Sequence, residues 1–306
     1  FFVLILALMI RILGINARLP YLPLYPDEEN MIRNAMELWE GFTPAYLAWP
    51  GTFYMFIISA LYFLYFILIN SHHILTILFH NPYNFLIPVL VIIDKFYCDF
   101  YYNPSWAYLL SRSVTVLFGT ATVFIIFKIG EHLQGRTVGF VAALIIALAP
   151  LHVTYSRYAL ADIPMVFFVS CAVLYSLKII ADESENLSDV KGAICAGISL
   201  ANKFNAALGI MCLFTAICIS NRPISFKIKS FLRSAVVLFM AFYFFCPYLM
   251  STPIVFLKGI FFAIIVSLKI SFTLPNILAA IKSVIEGICF FPCVFCVVLA
   301  ALPQNT

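Results

Sequence analysis

Long apolar runs separated by short polar breaks make up the chain, and the breaks carry the information. Apolar stretches long enough to cross a bilayer recur from Phe1 to Leu302. One crossing takes about 20 residues, so roughly seven to ten membrane segments fit. Lys128 to Arg136 (KIGEHLQGR) is a polar turn between two runs. Asn221 to Arg233 carries Arg222, Lys227, Lys229 and Arg233 without an acid, and Lys203 interrupts the run Ala193 to Ile219 near its middle. Residues 27 to 42 follow another rule: Met31, Ala35, Leu38, Trp39 and Phe42 share one helical face, while Glu28, Glu29, Arg33, Glu37 and Glu40 fill the other. That spacing predicts a short amphipathic helix on the membrane surface, started by Pro26 and supported by Glu29/Arg33 and Arg33/Glu37 at i,i+4.

Composition sharpens the class. The 306 residues are 64% apolar and 10% charged, against roughly 25% charged in a soluble domain. The expected fold is an all-α, polytopic transmembrane helical bundle forming one domain over residues 1–306. The net charge of +4 is spread over loops with no dense basic run, which gives no reason to expect nucleic acid as a partner. The first residue is Phe and the chain opens inside an apolar run, which predicts an incomplete N-terminus and a retained first span. Most cysteines lie in apolar runs as small buried hydrophobes. The cluster Cys289, Cys293 and Cys296 has no His or acid beside it, and His72, His73 and His80 are read as a connecting loop without an acid at ligand spacing, so neither is taken as a metal site.

Orientation follows from the basic loops. Asn221 to Arg233 belongs on the cytoplasmic side by the positive-inside tendency, and Lys128 to Arg136 suits the same side. Thr137 to Leu151 then crosses outward and Met165 to Ile180 returns. A single span over Ala193 to Ile219 would reverse the basic loop, which predicts two short helices turning at Lys203-Phe204-Asn205. By this parity Asp27/Glu28, Arg112, Arg157/Asp162 and Lys203 share one non-cytoplasmic level. Pro50 to Ile69 and Phe85 to Tyr97 either span as a pair or lie partly along the interface.

Two adjacent carboxylates beside a membrane are costly unless water or a ligand meets them. Asp27 and Glu28 read either as a helix-capping pair in water or as a site in which Asp27 serves as general base. Arg112 reads as a phosphate ligand or a snorkelling side chain, Arg157 as a ligand or a simple partner of Asp162, and Lys203 as a ligand or a helix cap. His152 and Tyr155 line the pocket or anchor the interface.

Pro-Asp-Glu in the first outer loop is followed by LLSRSVTVLFGTATVFIIFKIGEHLQGR, APLHVTYSRYALADIPMVFF, AGISLANKFNAALGI and CPYLMSTPIVFL. In this order the motifs resemble the GT-C class of membrane glycosyltransferases, nearest the branch of protein O-mannosyltransferases and the lipid A aminoarabinose transferase. The resemblance runs from about Leu6 to Phe256, and the further spans and C-terminal outer domain that often follow in the family are not matched here. It implies transfer of a sugar from a polyprenyl-phosphate carrier, outside the cytoplasm, to a hydroxyl acceptor on a protein or glycolipid, with inversion. Asp27 would be the catalytic carboxylate. Glu28 would assist it or contact the acceptor or a metal. Arg112 and Lys203 would meet the carrier phosphate, Asp162 would be the acid of the second outer loop, and Arg157, His152, Tyr155 and Asn205 join them as substrate-binding residues. The expected surroundings are a bacterial or archaeal plasma membrane or the ER membrane. No cofactor is expected beyond the lipid-linked donor, with a divalent cation optional. A transporter or lipid flippase, or a silent scaffold of the same fold, is the alternative.

Overall fold

The computed structural model describes residues 1–19, 23–39, 51–80, 86–181 and 187–246. Phe42, the Cys289/Cys293/Cys296 cluster and nearly all of CPYLMSTPIVFL lie outside them. Every regular element among the described residues is helical: α1 (Phe2–Ile12), α2 (Pro26–Glu37), α3 (Thr52–His80), α4 (Leu86–Tyr102), α5 (Ser105–Gln134), α6 (Arg136–Leu148), α7 (Pro150–Tyr155), α8 (Asp162–Ile180), α9 (Ser188–Asn202), a 3-10 turn (Phe204–Ala206), α10 (Ala207–Ile219) and α11 (Ile224–Phe245).

Four stretches are long and apolar enough to cross a membrane: Thr52–His72, Ser105–Gln134, Asp162–Ile180 and Ile224–Phe245. The protein is therefore an all-α integral membrane protein. Shorter apolar helices, including α1 and α6, pack among them. Large apolar side chains such as Phe231, Leu232, Val236 and Met240 on α11 are exposed, as lipid-facing positions are expected to be.

α5 is the spine, with α1, α6 and α8 packed along it, while α9 sits between α8 and α11. Gly135 ends α5 at φ +89 and starts the return into α6, a left-handed geometry that glycine adopts without steric cost. The two arms then approach closely. A Cβ on Gly139 would lie 2.6 Å from the Phe127 carbonyl oxygen, and one on Gly130 would lie 2.7 Å from the Gly139 Cα. Small residues at such crossings let helix backbones meet in lipid.

The turn expected at Lys203 is present, since α9 stops at Asn202 and α10 resumes at Ala207. Other expectations are corrected. α3 continues through His80, so His72, His73 and His80 are helical and not in a loop. The surface helix is shorter than 27 to 42, and its apolar face does not rest on lipid. Met31, Ile32, Ala35 and Met36 are buried in a protein core with Tyr54, Ile58, Tyr62 and Phe96, and Trp39 stacks on Phe96 and donates to the Ser59 hydroxyl at 3.1 Å. Apolar rings gain more from close packing than from disordered lipid tails.

Chain direction gives the bundle two levels. Lys203, ending α9, meets Asp162, opening α8, at one level. At the other, Asp189 near the start of α9 accepts from Arg233 at 2.6 Å and from Ser230 on α11. Replacing Gly139 with alanine is expected to force α5 and α6 apart, a loss of about 1–3 kcal/mol. Denaturant unfolding in detergent measures it, and wild-type stability in the variant would refute the close crossing.

Candidate active site

Pro26 begins α2 with a pre-set φ and no N–H to leave unpaired, so Asp27 and Glu28 fall in the first turn. Successive helical side chains diverge by about 100°, and the two carboxylates part company. Asp27 is exposed, whereas Glu28 is fully buried.

Glu28 takes five hydrogen bonds. Its Oε2 accepts the Leu24 and Tyr25 N–H groups at 2.6 and 3.2 Å, its Oε1 accepts the Ala159 N–H at 2.7 Å, and Arg112 donates from Nε and Nη2 at 2.9 Å each. Arg112, also fully buried, gives its Nη1 to the carbonyls of Ile15 and Ala17 at 2.8 and 3.2 Å and lies over the Tyr108 ring. The planar guanidinium fork suits a carboxylate held edge to edge. Three chain segments meet α5 at this pair: the turns after α1 at Ile15 and Ala17, the start of α2 and the Ala159 loop. Glu28 and Arg112 are thus spent on each other and on the backbone.

A more open cluster surrounds Asp27. Lys203 Nζ donates to Asp162 Oδ1 at 2.7 Å, both side chains being about one quarter exposed (23% and 24%). Tyr25, Tyr155 and Tyr158 lie in mutual ring contact. Burial, and then the charges of Asp27 and Asp162, raise the Tyr25 phenol above its ordinary range, and Tyr155 is raised by burial, by Tyr25 and by the same two carboxylates. Both therefore stay neutral donors at physiological pH. Asn205 is exposed in the 3-10 turn after Lys203.

Behind this cluster lies a cation that the sequence reading missed. Arg11 is fully buried without a carboxylate. It donates to His152 Nδ1 at 2.8 Å, to the Ala7, Ile146 and Ala147 carbonyls at 2.9, 3.3 and 3.3 Å, and to Ser156 Oγ at 3.3 Å. Ile146 and Ala147 end α6, where unpaired carbonyls carry the negative end of the helix dipole. Gly119 opposite has no side chain because a Cβ there would strike Ser156 and reach within 3.1 Å of Arg11 Nε. The signal was available as one arginine inside the first apolar run.

His152 therefore lines an inner wall, not the open cluster. Burial and the Arg11 charge push it down to about 3, so its ring is neutral. Arg157 donates from Nη2 to the Ile10 carbonyl at 2.7 Å and does not pair with Asp162, which Lys203 has taken. Among the described residues no three His, Cys, Asp or Glu side chains gather as a metal site.

At one level of this polytopic helical membrane protein the exposed Asp27, the Lys203–Asp162 ion pair and three aromatic rings come together. Residues 103–251 match the family described as dolichyl-phosphate-mannose-protein mannosyltransferase, which supports a GT-C membrane glycosyltransferase of the mannosyltransferase type. The matched range contains Arg112, His152, Tyr155, Arg157, Asp162, Lys203 and Asn205, whereas Asp27 and Glu28 precede it. No curated protein and no solved structure matches the chain.

The His152 geometry sets a pH dependence. Between about 6.5 and 3 the unfolded chain takes up a proton at this ring while the folded chain does not, so stability falls as pH drops through that window. His152→Asn keeps an acceptor for Arg11 and removes the titration. Its unfolding temperature in nanodiscs is expected to fall less between pH 7.5 and 5 than that of the wild type. Equal slopes would count against a neutral buried ring.

Proposed function

We propose that the protein transfers a sugar from a polyprenyl-phosphate carrier, such as a dolichyl or undecaprenyl phosphate, to a hydroxyl on a protein or glycolipid acceptor, with Asp27 as general base. The observation that carries this reading is the exposed Asp27, adjacent in sequence to a fully committed Glu28 and facing a cluster that includes a cation. The family match supports the transferase class.

The acceptor oxygen attacks the anomeric carbon while the bond from that carbon to the phosphate oxygen breaks, and the phosphate leaves with the bonding electrons. The hydroxyl proton goes to the Asp27 carboxylate. A phosphate is already a good leaving group, so the demand is to stabilise its growing charge. Lys203 supplies a cation in a partly dry setting where such charges act strongly, with Arg157 on the neighbouring loop as a second source. Attack opposite the leaving group inverts the anomeric centre. Glu28 and Arg112 position the loop that carries Asp27, and Asp162 holds Lys203 until the donor arrives. Asn205 and Tyr155 line the surroundings, and His152 stands behind them as the acceptor for Arg11.

The basic stretch from Arg222 to Arg233 belongs to the opposite level of the bundle, where Arg233 meets Asp189. Basic loops favour the cytoplasm, which argues for a site facing away from it.

Reconstituted protein is to be given a panel of polyprenyl-phosphate sugars with membrane extract as acceptor source, and release of free polyprenyl phosphate is followed. One donor is expected to turn over, with Asp27→Asn slower by about 10²–10⁴-fold. Turnover of none, or an undiminished rate in a folded Asp27→Asn protein, would overturn the reading.

A further inference from the structure

Three tyrosines stand around Asp27 and Asp162, and none of them takes part in the proton transfer or the phosphate departure described above. Tyr25 comes from the loop before α2, and Tyr155 and Tyr158 from the turn that closes α7. Tyr25 is more than a hundred residues from the other two in sequence, and a single group brings the two segments together: the Glu28 carboxylate accepts the N–H of Tyr25 at 3.2 Å and that of Ala159, next to Tyr158, at 2.7 Å. Tyr25 and Tyr158 stack with centroids 5.5 Å apart and planes at 28°. Tyr155 leans against both, at 6.3 Å and 46° from Tyr25 and at 5.7 Å and 58° from Tyr158.

All three rings are half-buried. They pack on the core formed by α2, α3 and Ala159 to Ala161 without entering it, so part of each ring stays open. Chain position also sets them beside the acids, because Tyr25 precedes Asp27 at the start of α2, and Tyr155 and Tyr158 lie on the segment that leads from α7 to Asp162, the first residue of α8. An angled aromatic surface thus stands beside the two acids, one exposed and one holding Lys203.

We propose that Tyr25, Tyr155 and Tyr158 form the subsite for the donor's sugar ring, seated between Asp27 and the Lys203–Asp162 pair. The proposal rests on the transferase reading above. A sugar ring has an apolar C–H face and a rim of hydroxyls. The electron-rich face of an aromatic ring meets the slightly positive C–H groups, while phenol donors and carboxylate acceptors meet the rim. A sugar held there has its phosphate toward Lys203 and its anomeric carbon within the reach of an acceptor that Asp27 deprotonates. A bare carrier phosphate, lacking the ring, gains nothing from the three tyrosines.

That last difference supplies the test. Tyr25→Ala with Tyr158→Ala keeps the backbone N–H that Glu28 needs, and circular dichroism with thermal unfolding reports whether the fold is intact. In the reconstituted full chain the probes are dolichyl phosphate mannose as donor, or the panel sugar that the wild type turns over, and sugar-free dolichyl phosphate as competing inhibitor. The double alanine variant is expected to raise KM for the donor by about 10-fold or more, at about 3–10-fold per ring, with inhibition by dolichyl phosphate unchanged. Tyr25→Phe with Tyr158→Phe is expected to stay within about 3-fold of wild type, since stacking survives. An unchanged KM in the alanine variant, an equal loss of dolichyl phosphate affinity, or a phenylalanine variant as impaired as the alanine one would each overturn the sugar subsite. If the wild type turns over no donor at all, the transferase reading fails first, and the subsite falls with it.

Discussion

Everything at the site depends on one buried ion pair. Taking Glu28 and Arg112 out of water costs several kcal/mol for each charge, and their attraction offsets that only with good geometry and with the remaining lone pairs and protons satisfied. Here they are: three backbone N–H groups complete the carboxylate, and two carbonyls and an aromatic ring complete the guanidinium. Removing one partner would leave an uncompensated buried charge, a loss of about 3–5 kcal/mol. The pair therefore works as a fixed joint. It ties α5 to the start of α2 and to the Ala159 loop, and so sets where Asp27, the tyrosines and Asp162 stand relative to one another. It also links the segment that matches the mannosyltransferase family to the first loop, which precedes it.

Arg11 solves the same problem in a different way. With no carboxylate in reach, it is stabilised by carbonyls at the end of α6 and by the lone pair of a neutral His152. Pro150, opening α7, stops α6 just there, which leaves those carbonyls free to receive it. The buried arginine and the α6–α7 break thus require each other. His152 serves as an acceptor in this arrangement and is unsuited to proton transfer at neutral pH.

Much of the architecture was legible in the sequence. Spans, the α5–α6 turn and the break at Lys203 follow from hydropathy and charge, since in lipid a polar interruption must mark a turn or a site. The Asp27/Glu28 pair was visible as well, but not which of the two is buried. That depends on Arg112, 84 residues away, and no local pattern reports a contact at such separation. The same holds for Asp162, where proximity in sequence suggested Arg157 and the fold supplied Lys203 from another helix. The apolar face of α2 was legible as a face but its packing against Tyr54, Tyr62 and Phe96 was not, because periodicity shows that a face is buried but not what buries it. The tyrosine cluster was out of reach for the same reason, as two distant loops meet only through Glu28.

Hydrogen–deuterium exchange on the intact protein in nanodiscs, comparing wild type with Arg112→Lys, tests the joint most directly. A lysine keeps the charge and loses the fork. The first turn of α2 and the segment Tyr158 to Ala161 are predicted to lose protection together, while the α5–α6 hairpin around Gly135 keeps its own. Unchanged protection at both segments, or a uniform loss across the whole bundle, would contradict the claim that this pair is what holds the site together.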